Sequence, residues 1–269
     1  MAADAHFIAA LRADLAAVAD PARAPAMQAY MKSAMPYLGI AAPLRRSTVT
    51  ARVKAQPLPD AQTLADTMLA LWRSASHREE RYAAAELARL GRHKRLADLR
   101  LLPVFEEMVR SGAWWDYCDD ISGDGMRTLL QQDPAAVKPL LRRWAVGDDL
   151  WLRRAAILSQ RRLKAGFDAV LLYETILPSI GTGRFADEFF IRKGIGWALR
   201  ERSYSAPDEV IAFCAEYATQ LSPLTRREAL KVIARRTSCA APASASPAAT
   251  PAAPPARGRA PAPRRAAAR

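Results

Sequence analysis

Residues 189–200 read FFIRKGIGWALR, and their aromatic, basic and small residues recur at intervals of three and four positions. This interval is the repeat of an amphipathic α-helix, in which such residues share one face. Apolar residues keep the same interval as far as position 239, without the sustained alternation of β-branched and aromatic residues that is typical of strands. The stretch and its surroundings therefore predict an all-α fold.

A weak internal repeat includes this stretch. Segments that place a large or basic residue before small ones begin at Tyr82, Arg153, Arg192 and Arg226. They are separated by one or two units of roughly 40 residues, which is the length of a HEAT-like helix pair. The repeat predicts antiparallel helix pairs that are stacked along one continuous core.

If the repeat holds, its basic residues lie along one surface. Arg154, Lys193 and Arg227 would form a cationic row, which carboxylates near residue 118 would interrupt. The alternative remains open that the repeat is accidental and that these cations are ordinary solvated residues.

The composition indicates a polyanionic partner. The 269 residues include 40 Lys and Arg against 27 Asp and Glu, a formal net charge of +13, which favours binding to nucleic acid. The last 30 residues hold 14 Ala, 7 Pro, 5 Arg and no acid, a composition that cannot build a core. We predict a folded domain at 1–239, with a charge of +8 once the five tail arginines are subtracted from +13, and a disordered Ala/Pro/Arg-rich tail at 240–269.

Neither a membrane protein nor a disulfide-stabilised fold is indicated. No apolar stretch approaches the roughly 18 to 20 residues of a membrane span, and the N-terminus does not resemble a signal peptide, so a cytoplasmic protein is expected. Cys118, Cys214 and Cys239 are the three cysteines, and none forms a Cys-x-x-Cys pair. This argues against a disulfide framework or a thiolate metal site.

Several helix starts are marked by capping residues. Asp60, Asp133 and Ser222 each precede an amphipathic segment and are predicted N-caps. Two pairs have the spacing of a capping box, in which a hydroxyl and a carboxylate satisfy the first amides of a helix reciprocally: Ser76 with Glu79, and Ser205 with Asp208.

A candidate chemical site lies where the missing repeat unit would fall. Trp115 and Asp119 are four residues apart, so on a helix they share one face. The later stretch aligns Phe190, Lys193, Trp197 and Arg200 on one stripe.

Cleavage of a glycosidic bond suits this combination of groups. A basic groove neutralises phosphates, while a fixed anion and ring faces stabilise positive charge that develops on a sugar. A purine alkylated at a ring nitrogen is already cationic and leaves with little or no acid assistance, so one carboxylate suffices. Asp119 would stabilise the sugar cation and help to position water, and Trp115 and Trp197 would contact the deoxyribose.

Two other functions use the same residues. A metal nuclease could employ the carboxylates of the acidic cluster, which consists of Asp116, Asp119, Asp120 and Asp124. Asp116 and Asp120 could instead pair with nearby arginines. A noncatalytic HEAT-repeat scaffold could bind DNA or a protein through the same basic surface.

Five ordered motifs between about residues 28 and 236 carry a family resemblance: Tyr30-Met31-Lys32 with Leu38-Gly39-Ile40, Trp114-Trp115-Asp116 followed by Asp119, residues 151–157, residues 189–200 and residues 221–229. Together they resemble the AlkD-type alkylpurine DNA glycosylases, bacterial DNA alkylation repair enzymes of the HEAT-like repeat class. The resemblance implies a right-handed superhelix whose concave basic face holds duplex DNA. It also implies release of 3-methyladenine and 7-methylguanine without a metal or cofactor and without flipping of the base into a deep pocket.

Site residues follow from the matching motifs. Trp115, Asp119 and Trp197 match the family's catalytic set, and Arg154 matches a basic residue that contacts DNA near the lesion. The remaining predicted DNA-binding residues lie in the N-terminal motif and the last two motifs: Tyr30, Lys32, Phe189, Phe190, Lys193, Arg200 and Arg227. The expected partner is duplex DNA containing alkylated purines, with no obligate protein partner, and a monomer is expected because one concave surface holds one duplex.

Overall fold

The computed structural model of the chain describes residues 2–163 and 166–240, and no strand occurs among them. The α-helices in this part of the chain are α1 Ala5–Ala17, α2 Ala24–Met31, α3 Ala42–Ala55, α4 Ala61–Arg73, α5 Arg78–Glu86, α6 Leu101–Gly112, α7 Trp115–Asp120, α8 Arg127–Gln132, α9 Pro134–Val146, α10 Leu150–Leu158, α11 Ala169–Ile176, α12 Phe189–Arg202, α13 Pro207–Glu216 and α14 Pro223–Ala240. The predicted all-α fold of HEAT-like helix pairs is confirmed.

The helices bury two clusters of apolar side chains that meet at α10. The larger cluster extends from Phe7 in α1 to Leu171 in α11. The smaller one extends from Ile157 in α10 to Ala229 in α14. Because α10 contributes side chains to both clusters and packs against α7, α9 and α12, it fixes the two parts of the array relative to each other.

Three predicted N-caps are confirmed. Side-chain oxygens of Asp60, Asp133 and Ser222 accept hydrogen bonds from the backbone amides three residues later, at 2.8, 3.0 and 3.1 Å. These bonds satisfy amides at the helix N-terminus that have no partner within the helix.

The two predicted capping boxes are wrong. Helix α5 begins at Arg78, and Glu80 rather than Glu79 accepts from Ser76 Oγ and from the His77 amide. Helix α13 begins at Pro207 after Ala206, because proline favours the first helical position, so Ser205 lies one residue too early to cap it.

Glu79 instead holds the N-terminal motif. Its carboxylate is fully buried and accepts from the backbone amides of Leu38, Gly39 and Ile40 at 2.9, 2.9 and 3.1 Å. Gly39 has φ +83, and a Cβ there would lie 1.9 Å from the Asp20 carbonyl oxygen. The conformation and the close approach both require glycine.

Helices α12 and α14 pack closely through a glycine. A Cβ at Gly196 would lie 2.7 Å from Glu228 Cβ and 3.0 Å from the Thr225 carbonyl oxygen. The absence of a side chain there lets α14 approach the helix that carries Trp197.

A π-helical turn at Ile121–Met126 joins α7 to α8, so the backbone is helical from Trp115 to Gln132. Gly125 lies in this turn, and a Cβ there would come within 2.8 Å of the Phe105 ring. The glycines after Asp119 therefore accompany a change of helix type rather than an early helix end.

The predicted tail at 240–269 lies outside the described residues, apart from Ala240, where α14 ends. In the part that is described, no helix is long and apolar enough to cross a membrane. Cys118 and Cys214 are buried free thiols.

Candidate active site

Helix α7 carries the carboxylates of the candidate site. The preceding helix α6 is terminated by Ala113 in the left-handed conformation, with φ +41, and α7 begins two residues later at Trp115. One turn along α7, Asp119 occupies the same face as Trp115, as the spacing predicted. Both residues are half-buried.

Asp119 is held by Arg154 from α10. Nε and Nη2 of Arg154 donate to the two carboxylate oxygens at 2.8 and 2.9 Å, and its Nη1 donates to the Phe190 carbonyl oxygen in α12. Arg154 is only 3% exposed. The sequence predicted that Arg154 contacts DNA. The structure brings it to Asp119 and turns its donors inward, so the DNA contact stays a prediction.

Burial raises the pKa of Asp119 above its usual range, because a charged carboxylate is poorly solvated there. The neighbouring guanidinium of Arg154 opposes this rise in pKa through its charge and its hydrogen bonds. Asp119 is therefore a half-buried carboxylate whose charge depends mainly on one arginine.

Trp197 in α12 lies half-buried beneath another arginine, Arg161. The guanidinium carbon of Arg161 is 3.5 Å from the centre of the Trp197 ring, and that of Arg200 is 6.0 Å away. The charge of Arg161 also reaches Asp119 and lowers its pKa. Arg161 thus connects the predicted catalytic acid with the predicted catalytic indole.

Sequence reasoning missed Arg161. It lies just beyond α10, outside the repeat. A basic residue at a helix C-terminus is common because it complements the helix dipole. The dipeptide Arg161-Arg162 was the available signal, and nothing in it indicates which of the two is buried.

Aromatic residues form one side of the site. The Phe190 ring lies 5.6 Å from Trp114 and 5.1 Å from Trp151, between ring centres, while the neighbouring Phe189 is 58% exposed. Phe190 therefore supports the site through packing, and Phe189 is the accessible ring of the pair.

The predicted DNA-binding cations differ in how they are paired. Lys193 and Arg200 donate to opposite oxygens of Glu228 in α14, at 2.8 and 2.7 Å. Arg227 is exposed and forms no ion pair with any residue that the structure describes. Lys32 is exposed in the left-handed position that ends α2, with φ +49.

Tyr30 is 78% exposed and lines a cavity of about 300 Å³ together with Asp116 and Asp120. The structure therefore brings Tyr30 to the side of α7 that faces α2, whereas Lys193, Arg200 and Arg227 lie on the side that α12 and α14 form.

The other aspartates of α7 pair with arginines, one of the alternatives that the sequence left open. Asp116 accepts from Arg78 at 2.7 Å, and Asp120 accepts from Arg89 at 2.8 Å. Asp124, in the π-helical turn, also accepts from Arg89, at 3.1 Å. Within the described ranges, no group of three or more His, Cys, Asp or Glu side chains is arranged to hold a metal ion.

Comparisons with known proteins support the resemblance. A family model described as "DNA alkylation repair enzyme" matches residues 11–233. A solved structure described as a predicted DNA alkylation repair enzyme from Enterococcus faecalis aligns with a TM-score of 0.69 and 30% sequence identity, covering 81% of this chain and 97% of that chain. No curated protein matches the chain.

Proposed function

The chain belongs to the DNA alkylation repair enzyme family, and we propose that it is a DNA glycosylase. Its substrates are cationic purines alkylated at N3 or N7, such as 3-methyladenine and 7-methylguanine, in duplex DNA. It hydrolyses the N-glycosidic bond that joins the damaged base to deoxyribose.

The observation that carries this proposal is the Asp119 carboxylate, oriented by two hydrogen bonds from Arg154 on the same helix face as Trp115. As the C1′–N bond breaks, its electron pair goes to the alkylated purine, which leaves as a neutral base. Positive charge then develops on the sugar, and a fixed carboxylate stabilises it.

Water completes the reaction. Its oxygen forms a bond to C1′ and its proton passes to Asp119 or to solvent, which leaves an abasic site. The base departs uncharged, so no second carboxylate has to protonate it. Arg154 orients Asp119, and Trp115 and Trp197 present ring faces to the deoxyribose. The proposed reaction uses no metal or cofactor.

The duplex is bound by side chains on both sides of α7. Tyr30 and Lys32 contact it from α2, while the exposed Phe189 and Arg227 contact it from α12 and α14. Lys193 and Arg200 contact phosphates while they remain paired with Glu228. The damaged base stays in or beside the helix instead of entering a deep pocket, so the usual cost of base extrusion does not arise. One protein molecule binds one duplex.

The test is release of 7-methylguanine from an alkylated duplex in the presence of a chelator, with wild type and Asp119→Asn assayed in parallel. We expect release by wild type and almost none by the variant, with similar duplex affinity. If neither protein releases base and both bind tightly, the chain is a noncatalytic DNA-binding scaffold. Equal release by both proteins would remove Asp119 from the mechanism.

A further inference from the structure

Arg161 lies in the turn that follows α10. The next residue, Arg162, adopts the left-handed conformation with φ +60, which is uncommon for a residue with a side chain. Arg162 is exposed, whereas Arg161 is buried against Trp197. Within this turn, Arg162 therefore lies at the surface, whereas the neighbouring Arg161 lies in the site.

The charge of Arg161 has no partner in the described part of the protein. The residue is only 9% exposed, its Nε is fully buried without a hydrogen bond, and no carboxylate oxygen of a described residue lies within 4.0 Å of its guanidinium. Burial lowers the pKa of Arg161 because the charged form is poorly solvated.

The other arginines that are fully buried among the described residues are satisfied. Arg45 pairs with Glu86, Arg78 pairs with Asp116, and Arg153 donates to several backbone carbonyl oxygens. A buried charge without a partner is costly to maintain. Arg161 is the exception among them: it lies against Trp197, and its charge reaches Asp119. Arg81 in α5 also has a buried Nε without a hydrogen bond, but it is only half-buried and lies over Trp72, at 4.9 Å.

We propose that Arg161 binds a phosphodiester group of the DNA strand that carries the damaged base, an inference that rests on the proposed function. The guanidinium lies against the Trp197 ring and its Nε is buried, so a phosphate would accept hydrogen bonds from the two terminal nitrogens, in the plane of the guanidinium. Arg154 cannot serve in this way while its donors hold Asp119 and Phe190.

Gly123, in the π-helical turn after α7, packs against the guanidinium of Arg161. A Cβ at Gly123 would lie 3.5 Å from Nη1 and 3.8 Å from the guanidinium carbon of Arg161. Both distances are ordinary van der Waals contacts, so the turn lies against this side of the guanidinium without strain. A phosphate bound to the terminal nitrogens of Arg161 would tie the position of the DNA backbone to Asp119 and the reacting sugar, because the charge of Arg161 already reaches Asp119.

The experiment measures how duplex affinity depends on salt. A duplex with a tetrahydrofuran abasic-site analogue is titrated with wild type, Arg161→Met, Arg161→Gln and Arg161→Lys. Each phosphate contact contributes about 0.9 to the slope of log affinity against log salt. We expect the slope to become shallower by about 0.9 in the Met and Gln variants and to be retained in Arg161→Lys.

Arg142→Gln is the matched control for loss of one charge, because Arg142 is an exposed arginine on α9 that Glu174 already balances at 2.8 Å. Its slope should equal that of wild type. Arg161→Met should unfold at the same temperature as wild type or a higher one, since an unpaired buried charge is replaced by an apolar side chain.

Wild-type slopes in both Arg161→Met and Arg161→Gln would overturn the phosphate contact and leave the proposed function intact. A lower unfolding temperature with an unchanged slope would overturn it as well and assign Arg161 to packing. If wild type itself shows no salt-dependent duplex binding, the proposed function fails and the phosphate contact fails with it.

Discussion

Both sides of helix α7 place an aspartate beside arginines and aromatic rings, but the charges are paired differently on the two sides. On the side of α5, Asp116 accepts from Arg78, from Tyr82 and from the Tyr117 amide, and Arg78 in turn donates to Tyr82 and Ser33. Every charge in this network has a partner.

On the side of α10 and α12, Asp119 depends on Arg154, and the neighbouring Arg161 has no carboxylate partner within the described residues. Both sides are largely buried, so solvent access does not explain the difference. A closed network stabilises the fold, whereas an open one beside aromatic rings is available to a ligand. The comparison supports the proposal that catalysis takes place on the side of α10 and α12.

The largest expected effect is on catalysis, from Asp119→Asn. Removing the charge that stabilises the sugar cation should slow base release by about 10²- to 10³-fold, measured as the single-turnover rate on a 7-methylguanine duplex. Asp120→Asn, one residue along the same helix, is the matched control and should react at nearly the wild-type rate. Equal losses in the two variants would contradict the assignment of Asp119.

On the closed side, the corresponding change should affect stability instead. Asp116→Asn removes the charge that balances the buried Arg78, so the free energy of unfolding should fall by about 3 kcal/mol. Urea denaturation measures this loss. Base release per folded molecule should persist, and a loss of activity comparable to that of Asp119→Asn would mean that the two sides do not differ in role.

The π-helical turn between α7 and α8 offers a smaller test of how the two sides are held together. Gly125→Ala would drive a methyl group into the Phe105 ring and should lower the free energy of unfolding by about 2 kcal/mol. Gly123→Ala is the control within the same turn, because its nearest contact, at 3.5 Å, is ordinary. Its stability should be unchanged or higher by up to about 1 kcal/mol. Thermal denaturation of both variants would show whether the contact with Phe105 or the π-helical conformation of the turn has the larger effect on stability.

The smallest expected effect comes from Arg154→Gln. Loss of orientation should slow base release about tenfold at neutral pH, equivalent to about 1.4 kcal/mol. Arg154 lowers the pKa of Asp119, so its removal raises that pKa further, and the acidic limb of the pH–rate profile should move to higher pH. Arg89→Gln, which removes the partner of Asp120, should leave the limb in place. If the acidic limb of the pH–rate profile stays at the same pH in Arg154→Gln, ionisation of Asp119 does not determine that limb.

The sequence predicted the features that depend on local spacing. Helical periodicity, the caps at Asp60 and Asp133, and the shared face of Trp115 and Asp119 all follow from intervals of three or four residues. The capping role predicted for Glu79 is wrong because a capping box is recognised by spacing alone, and the neighbouring Glu80 accepts from the same helix end instead.

Contacts between helices were beyond that reasoning. The Asp119–Arg154 pair depends on how α7 packs against α10, and Arg161 is buried by its contact with Trp197 in α12. Neither feature produces a regular spacing of residues that could be recognised in the sequence. The family resemblance supplied Arg154 as a site residue but not the direction of its donors.

Because of the π-helical turn at Ile121–Met126, the geometry of the site depends on the number of residues in this helix as well as on their identities. One residue more or less in a helix rotates everything beyond it by about 100°, and this turn sets the angle between Asp119 and the buried Leu129 that anchors α8. Deleting Ser122 would turn Asp119 away from Arg154 while every site residue remained in the sequence. In evolutionary terms, this helix should accept exchanges of residues more readily than insertions or deletions between Trp115 and Gln132.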